Sequence, residues 1–232
     1  MKAINILSGG AAQGLVAHLA ETFKTHTGFG IEGEFGAVGA MADKLRGGAA
    51  ADLIVLTRAL VMKLADEGLV MPSSIADVGP VETALAIRVG DPKVTVKTES
   101  DLRDVLRASD AIFVPDTRAS TAGIHVAGVL DQLGIASNVA PRLKIFPNGA
   151  TAMRELAASD AERPIGCTQA TEILATKGIT LSDLLPPGCE LTTMYTVGVT
   201  TRATNAGGAH ALINLLTDVN QQQLRQRVGF AS

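Results

Sequence analysis

The chain has 232 residues, of which 47% are hydrophobic and 19% charged, and its formal net charge at pH 7 is −3. This composition is ordinary for a globular protein, and the length suffices for one large domain or two of roughly 100 residues each. No block of basic residues stands out and only 3% of the residues are aromatic, which argues against nucleic-acid binding as the main task.

Strands and helices alternate along the first third of the chain. Strands are predicted at residues 4–7, 31–35 and 52–56, and each is followed by a stretch with apolar residues at helical spacing. This order of elements demands a mostly parallel sheet with helices on its faces.

A second α/β unit is predicted after Pro72. Its strands are expected at residues 84–89, 111–114, 143–146 and 165–166, and its helices at 102–106, 121–133, 150–157 and 171–175. A strand at 192–200 and helices at 209–216 and 221–228 are expected to close the chain.

The first strand is predicted almost at Met1, which leaves no room for the basic and apolar segments of a secretory leader. We therefore expect a cytoplasmic protein, or a periplasmic one whose leader has been removed. No apolar run is long enough for membrane insertion. Cys167 and Cys189 lie outside any metal-binding pattern, so no metal site is predicted.

Four predicted turns between a strand and a helix are rich in small residues, at 8–11, 36–39, 120–123 and 148–151. Small residues let a ligand approach backbone N–H groups closely, and the start of a helix favours an anion. Ligands of open α/β sheets bind at the carboxyl ends of strands, so these turns predict an anion site. The expected ligand-binding residues in them are Ser8, Gly10, Ala11, Val38, Gly39, Ser120, Thr121 and Ala122.

Charged residues flank the same turns. Arg58 follows the third strand and Arg118 precedes a small-residue turn, and either guanidinium would form a two-pronged pair with a carboxylate. His125 lies one turn into the following helix and is the predicted general acid or base. Asp116 and Glu82 are the alternative proton carriers. The alternative interpretation is that these residues have no role in the site and are surface charges or, for His125, a packed histidine.

Several segments resemble the periplasmic molybdate-binding protein family. Residues 36–55 are similar to its G-A-S-G-x-L…G-x-x-A-D-V-F-I segment, and residues 23–28 to the end of its first helix. Residues 166–170 fall where its G-I-V-Y-x-S-D-A segment does, and 195–230 resemble its Y-P-I…F-L…G-F ending. The resemblance covers nearly the whole chain.

The resemblance implies a type 2 periplasmic-binding-protein fold, in which a two-strand hinge joins two α/β lobes and a ligand cleft lies between them. Residues 1–81 and 195–232 would form lobe 1, and residues 82–194 would form lobe 2. The chain is expected to cross between the lobes near residues 80–83 and 192–195.

The site of that family implies a different anion here. The family holds its tetrahedral oxyanion with a Ser hydroxyl in each of the first two turns and a Tyr in the second lobe. The matching positions are Ala11, Val38 and Thr168. Each hydrogen bond that a buried oxyanion loses costs about 1–3 kcal/mol. We therefore expect a small organic carboxylate in place of molybdate or tungstate.

Two functions remain open. The resemblance extends to aconitate isomerases, and the missing leader and lost hydroxyls favour such a cofactor-free isomerase, which moves a proton next to a carboxylate. The alternative is the substrate-binding protein of an ABC transporter for an oxyanion such as molybdate or an organic acid. A permease would be a partner only if the chain is exported. No nucleophile motif supports covalent hydrolysis, and a small anion is the one partner that both functions need.

Overall fold

The computed structural model describes residues 3–231. The chain divides into two compact units: unit 1 is Met1–Val81 with Thr193–Ser232, and unit 2 is Glu82–Thr192. Each unit combines strands with helices, which confirms the predicted α/β class.

Unit 1 begins with three strand–helix pairs. They are β1 (Ala3–Gly9) with α1 (Gln13–Thr27), β2 (Gly30–Gly36) with α2 (Val38–Arg46), and β3 (Leu53–Thr57) with α3 (Arg58–Asp66). β1 lies between β2 and β3 and runs parallel to both. Every residue of β3 is buried, as expected for a parallel strand covered on both faces.

One long strand, β4 (Ala76–Arg88), carries the chain from unit 1 into unit 2. Unit 2 then contains α4 (Glu99–Ala108), β5 (Ala111–Pro115), α5 (Thr121–Gln132), α6 (Ala136–Val139), β6 (Leu143–Phe146), α7 (Gly149–Ala158), β7 (Pro164–Gln169), α8 (Ala170–Leu174) and β8 (Ile179–Leu184). β5 runs parallel to β6 and β7, and β4 runs antiparallel to β7 and β8.

The chain returns to unit 1 through β9 (Thr192–Val199), which pairs antiparallel with β3. Two helices, α9 (Ala206–Thr217) and α10 (Gln222–Arg227), close the fold. Leu212 and Leu216 of α9 belong to the same buried cluster as Leu15 and Leu19 of α1, so the C-terminal segment completes the core of unit 1.

The strands of unit 2 separate two apolar clusters. Ile112 and Val114 of β5 pack with residues of α4 and α5, whereas Ala111 and Phe113 pack with residues of α7 and α8. Successive side chains of a strand point to opposite faces, so the strand period alone assigns these residues to their faces.

The structure differs from the prediction in three strands. β4 begins at Ala76 instead of residue 84, although Gly79 and Pro80 are rare in strands; tertiary contacts compensate, because the Ala231 N–H donates to the Pro80 carbonyl at 2.8 Å. β7 continues past residue 166 to Gln169. β8 was not predicted, and it forms by pairing with β4, which is distant in sequence.

Candidate functional site

The turns at the carboxyl ends of the parallel strands are the natural place for a ligand. α2, α3 and α5 each begin directly after such a turn, and no side chain caps the start of any of them. α4, α7 and α9 are capped by Thr98, Asn148 and Asn205. The first N–H groups of a helix need partners from outside the helix, so α2, α3 and α5 offer donors to a ligand or to water.

In unit 1 the ends of β1 and β2 approach each other closely. A methyl group at Gly9 would lie 2.7 Å from Cγ1 of Val38 and 3.0 Å from Cε1 of Tyr195. The Ser8 hydroxyl is fully buried and donates to the Gly9 carbonyl at 2.9 Å. Ala11 and Val38 are buried in the core of the unit. The two positions that match the family's serines thus carry apolar side chains in packed surroundings.

The other predicted glycines of unit 1 lie at the start of helical segments, where Gly10 is buried. Gly10 begins a short 3₁₀ turn at Gly10–Ala12 that leads into α1. Gly39 lies in the first turn of α2 and is half-buried. The N–H groups of these segments are not screened by a long side chain at either glycine.

Arg58 is the first residue of α3, and its side chain is 62% exposed. Its Nη1 lies 3.0 Å from Oδ2 of Asp77 on β4. Oδ1 of the same carboxylate accepts a hydrogen bond from the Thr196 hydroxyl of β9 at 2.7 Å. Asp77 and Thr196 therefore hold a guanidinium at the start of an uncapped helix, and neither was predicted.

In unit 2, Asp116 shapes the turn between β5 and α5. Its Oδ1 accepts hydrogen bonds from the N–H groups of Arg118 at 2.7 Å and Ala119 at 2.9 Å. These bonds hold the pKa of Asp116 below its ordinary value. The carboxylate thus serves the turn as an ionised acceptor, and a lowered pKa makes it a weaker base. The Arg118 side chain is exposed.

The start of α5 packs against the end of β5. A methyl group at Gly123 would overlap the carbonyl oxygens of Pro115 and Asp116. Ser120 and Ala122 are buried and Thr121 is half-buried. Gly123 thus lets the start of α5 pack directly against the end of β5.

His125 is half-buried, and its Nε2 lies 2.8 Å from the Cys189 carbonyl oxygen. Because a carbonyl only accepts, Nε2 carries the hydrogen, and the lone pair of a neutral ring then lies on Nδ1. Glu82 is half-buried on β4, and its carboxylate has no hydrogen bond or ion pair within residues 3–231.

Thr168 is fully buried near the end of β7, and its hydroxyl donates to Oε2 of Glu172 at 2.6 Å. Glu172 is itself only 6% exposed. Burial raises the pKa of Glu172, while the Thr168 hydroxyl and the backbone N–H groups of Ala150, Gln169 and Gly149 counteract part of that rise. Sequence reasoning missed Glu172; the four-residue spacing from Thr168 was its one signal.

Two more hydroxyls, those of Thr83 and Thr171, are buried without a hydrogen-bond partner within residues 3–231. A buried hydroxyl without a partner costs about 1–3 kcal/mol, so a water or a ligand is their expected partner. Neither residue was predicted.

A cavity of about 240 Å³ lies elsewhere in unit 2. It is lined by residues that include Ile87, Val105 and Pro164, and it adjoins the amino ends of β5 and β7. It therefore lies away from the carboxyl-end turns, and no predicted site residue lines it.

Within the described residues, no group of three or more His, Cys, Asp or Glu side chains is arranged to hold a metal ion. In the same part of the chain, no helix combines the length and apolar character needed to cross a bilayer.

Comparison with known proteins found one related sequence and several similar structures. The chain is 22% identical over 224 residues to an aconitate isomerase from Pseudomonas sp, covering 92% of this chain and 81% of the relative. Its structure matches the periplasmic molybdate-binding protein of Azotobacter vinelandii with a TM-score of 0.83 at 15% identity, over 99% of both chains.

It also matches the sulfate-binding protein SubI of Mycobacterium tuberculosis H37Rv with a TM-score of 0.76 at 19% identity, over 99% of this chain and 86% of the other. These likenesses confirm the predicted periplasmic-binding-protein fold. The family model described as bacterial extracellular solute-binding protein matches residues 4–231. The chain therefore belongs to the bacterial extracellular solute-binding protein family.

Proposed function

We propose that this chain binds a small organic carboxylate and isomerises it by allylic proton transfer, as an aconitate isomerase would. The observation that carries the proposal is the set of side chains after the first three strands. Ala11 and Val38 are buried apolar residues, while Arg58 is exposed at the start of an uncapped helix. The aconitate isomerase relative, which covers 92% of the chain, supports the same substrate class.

The proposed chemistry needs no oxidant and no cofactor. A base removes a proton from the carbon next to a carboxylate, the electron pair shifts the carbon–carbon double bond by one position, and a proton is added at the far carbon. Negative charge develops on the carboxylate side as the proton leaves. N–H groups at helix starts and a guanidinium stabilise such charge when they are held in place beforehand.

The residues proposed to bind the anion in unit 1 are Ser8, Gly10, Ala11, Val38, Gly39 and Arg58. Those proposed in unit 2 are Arg118, Ser120, Thr121 and Ala122. Thr168, the remaining predicted ligand residue, donates its hydroxyl hydrogen to Glu172 and is not proposed to bind the anion. Arginine pairs with a carboxylate through two parallel hydrogen bonds, and the turn residues contribute mainly backbone N–H groups.

His125 is proposed as the proton carrier because its hydrogen bond to Cys189 leaves the lone pair on Nδ1. Glu82 is the second candidate, since its carboxylate is not engaged by described residues. Asp116 is the third, and its lowered pKa makes it a weaker base than an ordinary carboxylate.

Turnover in D₂O tests this proposal. Purified protein is incubated without cofactor with cis- and trans-aconitate and related unsaturated or hydroxy acids, and NMR follows interconversion and deuterium uptake. His125→Ala should lower turnover by roughly 10²–10⁴-fold if the imidazole moves the proton. His210→Ala is the matched control, because His210 is an exposed histidine of α9.

The outcomes separate the candidates. Undiminished turnover in His125→Ala would transfer the role to Glu82 or Asp116. Calorimetric binding of one of these acids, with no turnover of any, would overturn the enzyme and leave a binding protein.

The second candidate function is that of a substrate-binding protein for a transporter. The family to which the chain belongs is described as extracellular and solute-binding, and the structural match to a molybdate-binding protein favours this function at the level of the fold. Tight calorimetric binding of molybdate or sulfate, combined with export of the natural protein in cell fractionation, would establish it.

A further inference from the structure

Unit 2 places one of its own carboxyl groups against the start of a helix. α7 begins at Gly149, and the Glu172 carboxyl group lies next to this residue. The Glu172 side chain is buried and its Oε2 accepts the Thr168 hydroxyl at 2.6 Å. No cation forms an ion pair with Glu172 within residues 3–231.

Backbone N–H groups surround this carboxyl group. Those of Gly149, Ala150 and Gln169 oppose part of the rise that burial causes in the pKa of Glu172. The next N–H of α7, that of Thr151, donates to Oδ1 of the capping residue Asn148 at 2.8 Å. The start of α7 thus differs from the start of α5, which no side chain caps.

Space at this position is also used. A methyl group at Gly149 would overlap both the Glu172 carboxyl oxygen and the Thr168 hydroxyl. Position 149 must therefore be a glycine, because a larger residue would overlap Glu172. The sequence had instead predicted that this small residue lets a ligand approach the backbone. No second anion fits between these groups.

We propose that Glu172 determines the anion selectivity of this chain. Its carboxyl group takes the place at the start of α7 that an anionic group of a ligand would otherwise occupy, and it also engages Thr168. This inference rests on the proposed anion-binding function.

Selectivity follows from the number of donors that remain. A compact tetrahedral oxyanion carries acceptors on all sides and needs donors all round it, whereas a carboxylate concentrates its charge at one end. With the start of α7 and the Thr168 hydroxyl engaged by Glu172, unit 2 keeps the start of α5 for a ligand. This arrangement favours a carboxylate and disfavours sulfate or molybdate.

The test removes the internal carboxyl group. Glu172→Ala frees the donors and the space together, so it should bind sulfate or molybdate at least about tenfold more tightly than wild type in calorimetry. Glu172→Gln keeps the volume with an uncharged amide, so it should show no such gain. Formate, which has the size of the missing group, should raise the melting temperature of Glu172→Ala more than that of wild type or Glu172→Gln, with sodium chloride at equal ionic strength as the control.

If Glu172→Ala is unfolded without formate, its refolding by formate supports the proposal. The binding experiment is then done with Glu172→Ser in place of Glu172→Ala. A folded Ala or Ser variant with the anion preference of wild type and no response to formate overturns the proposal. Failure of the wild-type protein to bind any carboxylate refutes the proposed function instead, and the formate response still reports separately whether Glu172 fills an anion position.

Discussion

Asp52 illustrates how a single buried carboxylate can organise a unit. It is 1% exposed, and among residues 3–231 it has four hydrogen-bond donors around it and no ion pair with a cation. Oδ2 accepts the N–H of Asn5 at 2.9 Å, and Oδ1 accepts the N–H groups of Thr204 at 2.7 Å and Asn205 at 3.0 Å, together with the Thr204 hydroxyl. Asp52 thus ties β1 to the segment that precedes α9.

Asp52→Asn should destabilise the protein by about 2 kcal/mol, because the amide loses charge-assisted bonds and directs its own N–H groups at donors. Burial alone would raise the pKa of Asp52, but the bonds from Asn5, Asn205 and Thr204 outweigh it and hold that pKa below its ordinary value. The stabilisation is therefore present above about pH 4 and is lost as pH falls through the lowered pKa.

Chemical denaturation of Asp52→Asn and wild type between pH 3 and 7 checks this prediction. The gap in unfolding free energy should be largest at neutral pH and should shrink on acidification. Asp66→Asn is the control, since Asp66 is exposed at the end of α3. A gap that is constant with pH would contradict the assigned role of the charge.

Candidate site residues were easier to predict than their partners. Arg58 could be named because it follows a predicted strand, and Thr168 because it matches the family's Tyr, whereas Asp77 and Glu172 contact them in ways that neither signal reveals. Asp77 is 19 residues away from Arg58 in sequence. A partner of this kind depends on which strands become neighbours, and a single sequence carries no direct signal of that.

At the scale of elements, α5 contains two glycines with opposite requirements. Gly123 faces the carbonyl oxygens of Pro115 and Asp116 with no room for a methyl group, whereas a methyl group at Gly128 would meet nothing within 4 Å. The first glycine permits contact between helix and strand, and the second only adds conformational freedom to the unfolded chain.

Gly123→Ala should destabilise the protein by about 2 kcal/mol, because the start of α5 must move away from β5. Gly128→Ala should stabilise it by about 0.5–1 kcal/mol, as expected for an exposed helical position. Denaturation followed by circular dichroism measures both variants. Equal effects of the two substitutions would show that α5 does not pack as described. If the start of α5 binds the anion, Gly123→Ala should also weaken that binding.

Elements whose pattern is local were predicted well, and elements that depend on distant pairing were not. β6 was predicted at its observed bounds, and the helical spacing of Leu15, Leu19 and Phe23 matches the buried face of α1. β8 and the first half of β4 were missed. Gly79 and Pro80 act locally against a strand, and a hydrogen bond from Ala231 at the other end of the chain compensates.

The whole molecule consists of two units with separate apolar cores. Units of this size can unfold in separate transitions, and a ligand stabilises only the part of the protein that binds it. Calorimetry suits this chain, because it contains no Trp and one Tyr and so gives little fluorescence signal.

A carboxylate present at 100 times its dissociation constant should add about 2.7 kcal/mol to the stability of whatever binds it. We expect scanning calorimetry to show the ligand shifting the transitions of both units. Arg58→Ala should reduce the shift by removing the proposed guanidinium contact. Lys63→Ala, an exposed cation of the same helix α3, is the control. A shift confined to one transition would restrict the ligand to one unit.

The sequence by itself determined the α/β class, most of the parallel strands and helices, and the small-residue turns at the carboxyl ends of strands. These follow from periodicity and from glycine at turns, both of which act over a few residues. Only the tertiary structure decided which of those turns are available to a ligand. Asn148 caps α7 and the Glu172 carboxyl group lies against its first residue, whereas no side chain caps α2, α3 or α5. Asn148 is a local cap, but Glu172 is distant from Gly149 in sequence, and only folding brings it to the donors for which a ligand would compete.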